Sequence, residues 1–368
     1  MEKEICLKPF KLKPNRVKRP FKGGMLLDQW QHRDNPQDGF AAEEWAASIV
    51  QAQSERSDSF EGLSQLDDPN SDAEFLKTLI AAHPLEFLGP PHIRKFGDNM
   101  AILVKLLDSY SRLLIQVHPD RDYAKRVFGS GFGKTEAWYV LGGRRVNGQA
   151  PYVLLGFKPG VTQETWSELF FKQDIQGMVD SLHHFPVQEG DVFLVESGIP
   201  HAIGSGCFLI EIQEPTDFTM RVEKVSPEGR VMSDYQCHQG AGFPKMLECF
   251  HYESYTREQV LKKYYRKPQI IERKDGGMRR SVISGKDISY FSMDELEVWG
   301  CFATSRLFSF SVVIVVSGQG DLIWSGGIMA INQGDELFLP AALGPVVWES
   351  KGEEHLRIIR CFPPGHGK

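Results

Sequence analysis

Apolar positions along the chain recur mostly with a period of two, interrupted by a few stretches of helical spacing. Residues 71–82, SDAEFLKTLIAA, predict an amphipathic helix, with Ser71 and Glu74 forming a capping box and Pro84 closing the stretch. Residues 99–118 hold two apolar runs, AILVKLL and LLIQVH, read as two strands about a turn at 108–112. EAWYVL at 136–141 and YVLLGF at 152–157 read as a hairpin joined through the loop 142–151. Between 162 and 182, Trp166, Leu169, Phe170, Ile175, Met178 and Val179 return at helix spacing.

The strand pattern resumes at DVFLVES, CFLIEIQ and DFTMRVE, punctuated by Gly198-Ile199-Pro200, Gly204 and Gly206. Residues 241–268 read as a helical connector, and from Gln269 the chain is rich in short strands to its end. Short strands parted by Gly and Pro turns indicate a sandwich or barrel. The expected layout is mainly β: a first barrel over 1–240 with a helical insertion around 160–185, a connector over 241–268, and a second barrel over 269–368. QEGDVFL at 188–194 parallels NQGDELF at 332–338, each followed by a proline turn at Pro200 or Pro340, so the two barrels are expected to be related.

Strand alternation also places the chemistry. In LIQVHPD, Gln116 and His118 share one face while Ile115 and Val117 take the other. GKTEAW brings Lys134 and Glu136 to the start of a strand, and SGIPH delivers His201 through a tight turn. Two imidazoles, a carboxylate and an amide oxygen make a mixed N/O set suited to zinc or another first-row divalent ion, with room for water or substrate. A lone His118 or His201 is more often a hydrogen-bonded barrel residue than a ligand; their company with Gln116 and Glu136 favours ligation. His183-His184 reads instead as a solvated helix end, and the remaining histidines as surface or packing residues. A second polar stripe follows, with Glu211 and Gln213 on one face of CFLIEIQ and Asp217, Thr219 and Arg221 on one face of DFTMRVE. Taken alone, a buried Glu211–Arg221 ion pair that only fixes the barrel explains these residues as well.

Composition narrows the partners. The balance of 42 basic and 48 acidic side chains, a net charge of −6, argues against a nucleic-acid binder. Six scattered cysteines without a C-x-x-C pair read as reduced thiols. The basic N-terminus lacks a signal-peptide core and the most apolar run, 308–316, is too short to span a bilayer, so a cytoplasmic protein without membrane contact is expected.

With these segments in order, the chain resembles the type I phosphomannose isomerases, a cupin family, over essentially its whole length. QVHPD, then GKTE, then PHAIG carry the resemblance most specifically, with FLG at 87–89 and VKLLD at 104–108 beside them. The resemblance implies two cupin (jelly-roll) barrels and one zinc ion per chain in the first, bound by Gln116, His118, Glu136 and His201. It implies a sugar-phosphate site lined by Lys105, Lys134, Glu211 and Arg221, with Arg221, Glu211 and Lys134 as the catalytic set. The implied reaction interconverts mannose 6-phosphate and fructose 6-phosphate through an enediol or enediolate, in a monomer or homodimer. Two positions depart from the family: Lys22 stands where it has a tryptophan before Gly-Gly, and Leu114 where it has a serine. The second barrel has no histidine between Gln269 and Gly352 and is expected to be metal-free. The alternatives are a cupin metalloenzyme acting on another or unphosphorylated sugar, a dioxygenase, and a non-catalytic sugar-binding cupin.

Overall fold

The computed structural model describes residues 7–52, 60–68 and 75–365. Its architecture is mainly β, two cupin-type jelly rolls with helical additions, as expected. In the first unit a seven-stranded antiparallel sheet runs Tyr265–Arg266, Val192–Val195, Glu136–Gly143, Cys207–Gln213, Leu103–Ser109, Glu43–Ala46, Arg16–Val17. It faces a five-stranded sheet of Met220–Arg221, Gln116–Val117, His201–Ile203, Tyr152–Phe157 and Leu182–Pro186. The second unit repeats this plan. Its seven-stranded sheet runs Phe10–Lys11, Glu336–Leu339, Ser311–Ser317, Leu356–Phe362, Ser292–Val298, Gly277–Ile283, Gln269–Lys274, and faces Cys301–Thr304, Val346–Lys351, Gln319–Trp324 and Gly327–Asn332.

The sequence echo between 188–194 and 332–338 is a structural one. The Gln188 amide donates to Asp191 Oδ2 at 2.9 Å and the Asn332 amide to Asp335 Oδ2 at 2.8 Å. The Val140 and Val315 amides close the two turns on the Asp191 and Asp335 carbonyls, both at 2.9 Å. Gly190 and Gly334 take φ of 87° and 90°, a left-handed conformation that a side chain would strain.

Strand alternation builds the layers between the sheets. Leu107, Trp138, Val140 and Leu209 point inward and meet Val153, Leu155 and Ile203 of the facing sheet. On the outer side, Val104, Leu106, Ile210 and Ile212 pack against Val312, Ile314, Phe338 and Ile359, so the two jelly rolls are joined back to back by one apolar core. The outer face of the five-stranded sheet, through Ile115, Val117, Leu154 and Ala202, is covered by helical residues such as Trp166, Phe170, Met178 and Met246. Burying an aliphatic or aromatic side chain is worth about 1.5–3 kcal/mol. Wide apolar faces on both sides therefore hold the strands that carry the site.

Several local expectations need correcting. The strands Glu136–Gly143 and Tyr152–Phe157 form but do not pair as a hairpin; the loop between them crosses from one sheet to the other. Each finds its hydrogen bonds with more distant strands, Cys207–Gln213 and His201–Ile203 respectively. The two strands read within 99–118 likewise lie in opposite sheets. The single helix expected over 162–182 is two, Gln163–Lys172 and Ile175–Asp180, because Gln173 turns left-handed at φ 51°. The helix Leu76–Ala82 does stop ahead of Pro84, as expected, but Pro84 also opens a further helix, Pro84–Leu88, at its first position, where a missing amide costs nothing. The Ser71–Glu74 box lies outside the described residues. His183 and His184 are not at a helix end: both lie on the strand Leu182–Pro186, His183 buried and bonded to the Tyr255 carbonyl at 2.7 Å, His184 stacked on Tyr152. In DFTMRVE only Met220–Arg221 is strand.

Candidate functional site

The first jelly roll brings four separate segments to one inner corner. Gln116 is the middle of a register row, with Arg221 opposite on one side and His201 opposite on the other. The turn that carries His201 is tied to the second histidine's own backbone, since the Gly198 amide donates to the His118 carbonyl at 2.8 Å. Gly198 takes φ 83° and its α-carbon faces the His251 ring, which a β-carbon would strike at 2.4 Å.

His118 Nε2 lies 3.1 Å from Glu136 Oε2, His201 Nε2 lies 3.5 Å from Glu136 Oε1, and the two ring nitrogens are 3.2 Å apart. Gln116 Nε2 is 3.3 Å from His201 Nε2, and a half-turn of that amide exchanges nitrogen for oxygen at the same place. Each histidine uses its other nitrogen on a backbone carbonyl at 2.8 Å, His118 on Phe218 and His201 on Ile199. A carbonyl only accepts, so Nδ1 carries the proton and Nε2 presents a lone pair to the cluster. Burial, and after it the Lys134 ammonium, pushes the His118 pKa down to about 3; burial also lowers His201. Both rings are thus held neutral.

One carboxylate oxygen and one nitrogen from each ring all lie within 4.8 Å of one another. Neutral imidazoles, a carboxylate and an amide, with no thiolate, fit a first-row divalent ion that keeps open positions. In the structure the Lys134 ammonium neutralises this corner, donating to His118 Nε2 at 2.7 Å and to Glu136 Oε2. Burial alone would raise the Glu136 pKa, but the Lys134 ammonium holds it well below the ordinary carboxylate range.

Beside the cluster lies a buried charge row. Glu211 Oε1 is 3.4 Å from Lys105 Nζ and 3.9 Å from Lys134 Nζ, and its other oxygen accepts from Trp138 Nε1 at 3.2 Å. Burial raises the Glu211 pKa and the neighbouring Glu136 charge raises it further, which suits a carboxyl that must both take and give a proton. Arg221 donates to the Gln236 carbonyl at 2.8 Å; burial lowers its pKa, against the pull of Asp217. The expected residues Lys105, Gln116, Lys134, Glu211 and Arg221 all line one narrow cleft of about 40 Å³. Glu211 and Arg221 do not form a simple ion pair: Glu211 is held by Lys105, Lys134 and Trp138, and Arg221 donates to the Gln236 carbonyl.

Residues unread in the sequence complete the wall. Arg19 bridges Glu43 at 2.7 Å and Asp217 at 3.0 Å, its guanidinium 5.0 Å from the Trp45 ring centre, and Trp45 Nε1 donates to Glu43 at 2.8 Å. The available signal was EEW at 43–45, two acids and an indole inside a run of alanines.

The two family departures separate. Lys22 turns away from the cleft and pairs with Glu228 at 3.1 Å, while the neighbouring Phe21 supplies an aromatic wall. The following glycine is retained for room: a β-carbon on Gly23 would sit 1.7 Å from the Asp108 carbonyl oxygen. Leu114 does line the cleft, next to Gln116.

Comparison with known proteins gives the family. The catalytic-domain model of phosphomannose isomerase type I matches residues 22–133. A Bacillus subtilis protein named "Probable mannose-6-phosphate isomerase GmuF" is 30% identical over 265 residues, 72% of this chain and 77% of its own length. The chain belongs to the type I phosphomannose isomerase family. It is accordingly an isomerase. The B. subtilis mannose-6-phosphate isomerase ManA is 25% identical over 70% of this chain and 74% of its own. In fold, the chain is similar to the crystal structure of the mannose 6-phosphate isomerase from B. subtilis, with a TM-score of 0.75, 22% identity, and coverage of 96% of this chain and 99% of that one. No helix among the described residues is long and apolar enough to cross a membrane.

Proposed function

We propose that this isomerase interconverts mannose 6-phosphate and fructose 6-phosphate in the first jelly roll, in the cytoplasm, with one zinc ion per chain held by Gln116, His118, Glu136 and His201. The observation that carries the reading is the convergence of two carbonyl-locked imidazoles on a buried carboxylate, within 4.8 Å, beside the Lys105–Glu211–Lys134 row. Moving a proton between C1 and C2 of a sugar passes through an enediol or enediolate. A divalent ion at this corner supplies Lewis-acid stabilisation of the charge that develops on the adjacent sugar oxygens.

The chain's own groups do the rest. Glu211, with its raised pKa, takes the proton from one carbon and returns it to the other, a role worth about 10²–10⁴ in rate. Arg221 balances the negative charge of the enediolate, and Lys105 and Lys134 hold the phosphate and sugar oxygens through charge-assisted hydrogen bonds. The cleft measures about 40 Å³, and Lys105 and Arg19, here paired with carboxylates, are the cations beside it that an anionic substrate would engage.

The test is metal analysis of the purified protein followed by assays with mannose 6-phosphate and free mannose, before and after chelation. Turnover confined to the phosphorylated sugar and abolished by chelation is expected. Turnover of free mannose in place of its phosphate transfers the reading to a cupin acting on unphosphorylated sugars.

A further inference from the structure

The two seven-stranded sheets correspond strand for strand, so each inward position of the first has a counterpart in the second. Counting from the Gly190 and Gly334 turns, Val195 matches Leu339, and their cross-strand partners are Glu136 and Ser311. Two residues further, Trp138 matches Val313, and these lie opposite Glu211 and Arg360. On the next strand Lys105 lies opposite Glu211, and Asp294 lies opposite Arg360. One strand beyond, Glu43 pairs with Leu107 and Arg279 with Leu296. The row Glu43, Lys105, Glu211 of the first jelly roll is therefore Arg279, Asp294, Arg360 in the second. Every charge is reversed.

This second row is incompletely satisfied. Arg360 is 5% exposed and donates from Nη2 to Ser311 Oγ at 3.0 Å. Asp294, 6% exposed, is 3.6 Å from Arg279, which also pairs with Glu272 at 3.3 Å and keeps only its Nε unmatched. Arg360 Nε, Arg279 Nε and Ser292 Oγ are buried without a hydrogen-bond partner among the described residues. Buried donors left unmatched are costly, and two of these three, on Arg279 and Ser292, belong to residues that line one cleft.

Arg279, Ser292 and Asp294 open onto a cleft of about 750 Å³ between the end of the connector and the first strands of the second jelly roll. Arg266, Lys267 and Lys286 stand around it, Arg266 already bonded to Asp287 at 2.8 Å. Lys267 and Lys286 are exposed and in no ion pair among the described residues. Four cations against two carboxylates leave the lining positive in a chain that is acidic overall. The volume falls in the usual small-ligand range.

We infer that the second jelly roll carries its own binding site for a small phosphate monoester, with Arg279 facing the phosphate oxygens, Lys267 and Lys286 at the mouth, and Ser292 among the hydroxyls that meet the organic part. Guanidinium forks and lysine ammonium groups are the usual partners of phosphate oxygens. Such a site needs no histidine and no metal, in keeping with a strand set that has no imidazole between Gln269 and Gly352.

Titration calorimetry of the full chain with mannose 6-phosphate, compared with a Lys267→Ala/Lys286→Ala chain, tests this. The double variant is expected to lose one equivalent of binding, or to bind one equivalent at least tenfold more weakly, with kcat/KM unchanged. Loss of that equivalent is expected whether or not the first jelly roll also binds the sugar, so the outcome is separable from the isomerase assay. Equal stoichiometry and affinity in both chains overturn the inference. On the unaltered protein, inorganic phosphate is expected to slow acetylation of Lys267 and Lys286 at least fivefold, read by mass spectrometry. Unchanged rates at both lysines overturn it equally.

Discussion

The Lys134 ammonium lies 2.7 Å from Nε2 of His118, so a cation of the chain itself occupies the ring's lone pair. A divalent ion bound at the proposed site would compete with this ammonium for the same nitrogen and for Glu136, and Glu211, 3.9 Å away, is the other carboxylate within reach of Lys134.

Replacing Lys134 exposes the competition. In Lys134→Met the metal-free protein keeps a buried Glu136 without its partner and is expected to lose about 3–5 kcal/mol of stability. Added zinc restores most of that loss, and zinc affinity measured against a competing chelator rises severalfold while turnover is lost. Chemical denaturation with and without zinc checks it; equal stability of the two metal-free proteins would contradict the placement of Lys134.

His201→Ala and Arg221→Ala are expected to fail in different ways. The first removes a ligand, so metal content and activity fall together. The second keeps its metal, by elemental analysis, and loses at least about 10²-fold in kcat, as for removal of one stabilising donor. Normal kcat in Arg221→Ala would remove that residue from the chemistry.

Leu114→Ser puts a hydroxyl in the cleft wall beside Gln116. Its leucine is 4% exposed, so about 2–4 kcal/mol of stability is lost. The expected kinetic signature is a shift in KM for the sugar phosphate with kcat within about threefold, because the residue touches substrate space and not the proton path. A change confined to kcat would place Leu114 elsewhere in the cycle.

Asp294 gives the second jelly roll a pH signature. Burial raises its pKa to about 6, against the pull of Arg279 and then Arg360. A carboxyl raised on folding stabilises the protein while protonated, below its unfolded pKa, and that contribution disappears as pH rises through the folded value. Relative to Asp294→Asn, the wild-type chain is expected to lose up to about 3 kcal/mol between pH 4 and pH 7. Unfolding curves at several pH values measure the difference; a flat difference would mean that Asp294 stays charged throughout.

Much of this was legible in the sequence because strand alternation is a strict code. Gln116 and His118 against Ile115 and Val117, or Glu211 against Ile210 and Ile212, sort to opposite faces once a strand is assumed. QVHPD, GKTE and PHAIG indicated which residues share a corner through the family resemblance they carry, which the spacing of such distant segments does not supply. Pairing was not legible. Local pattern made Glu136–Gly143 and Tyr152–Phe157 look like a hairpin, but jelly-roll strands bond to partners far along the chain. Arg19 and Glu43 were missed for the same reason: their roles exist only through Asp217, which lies 198 residues from Arg19. The charge-reversed row needed the registers of both sheets, and no single segment carries it.

The edge strands decide how the protein can be cut. Phe10–Lys11 borders the far sheet, on Leu337 and Phe338, while Tyr265–Arg266 borders the near one, on Val192 and Phe193. The N-terminal ribbon thus completes the second jelly roll, and the connector's ribbon completes the first. A fragment ending near residue 240 would surrender the strip that shields Val192–Val195 and expose a bare backbone edge, an invitation to aggregate. The halves should melt together in one calorimetric transition, and neither should be expected to stay in solution when expressed by itself.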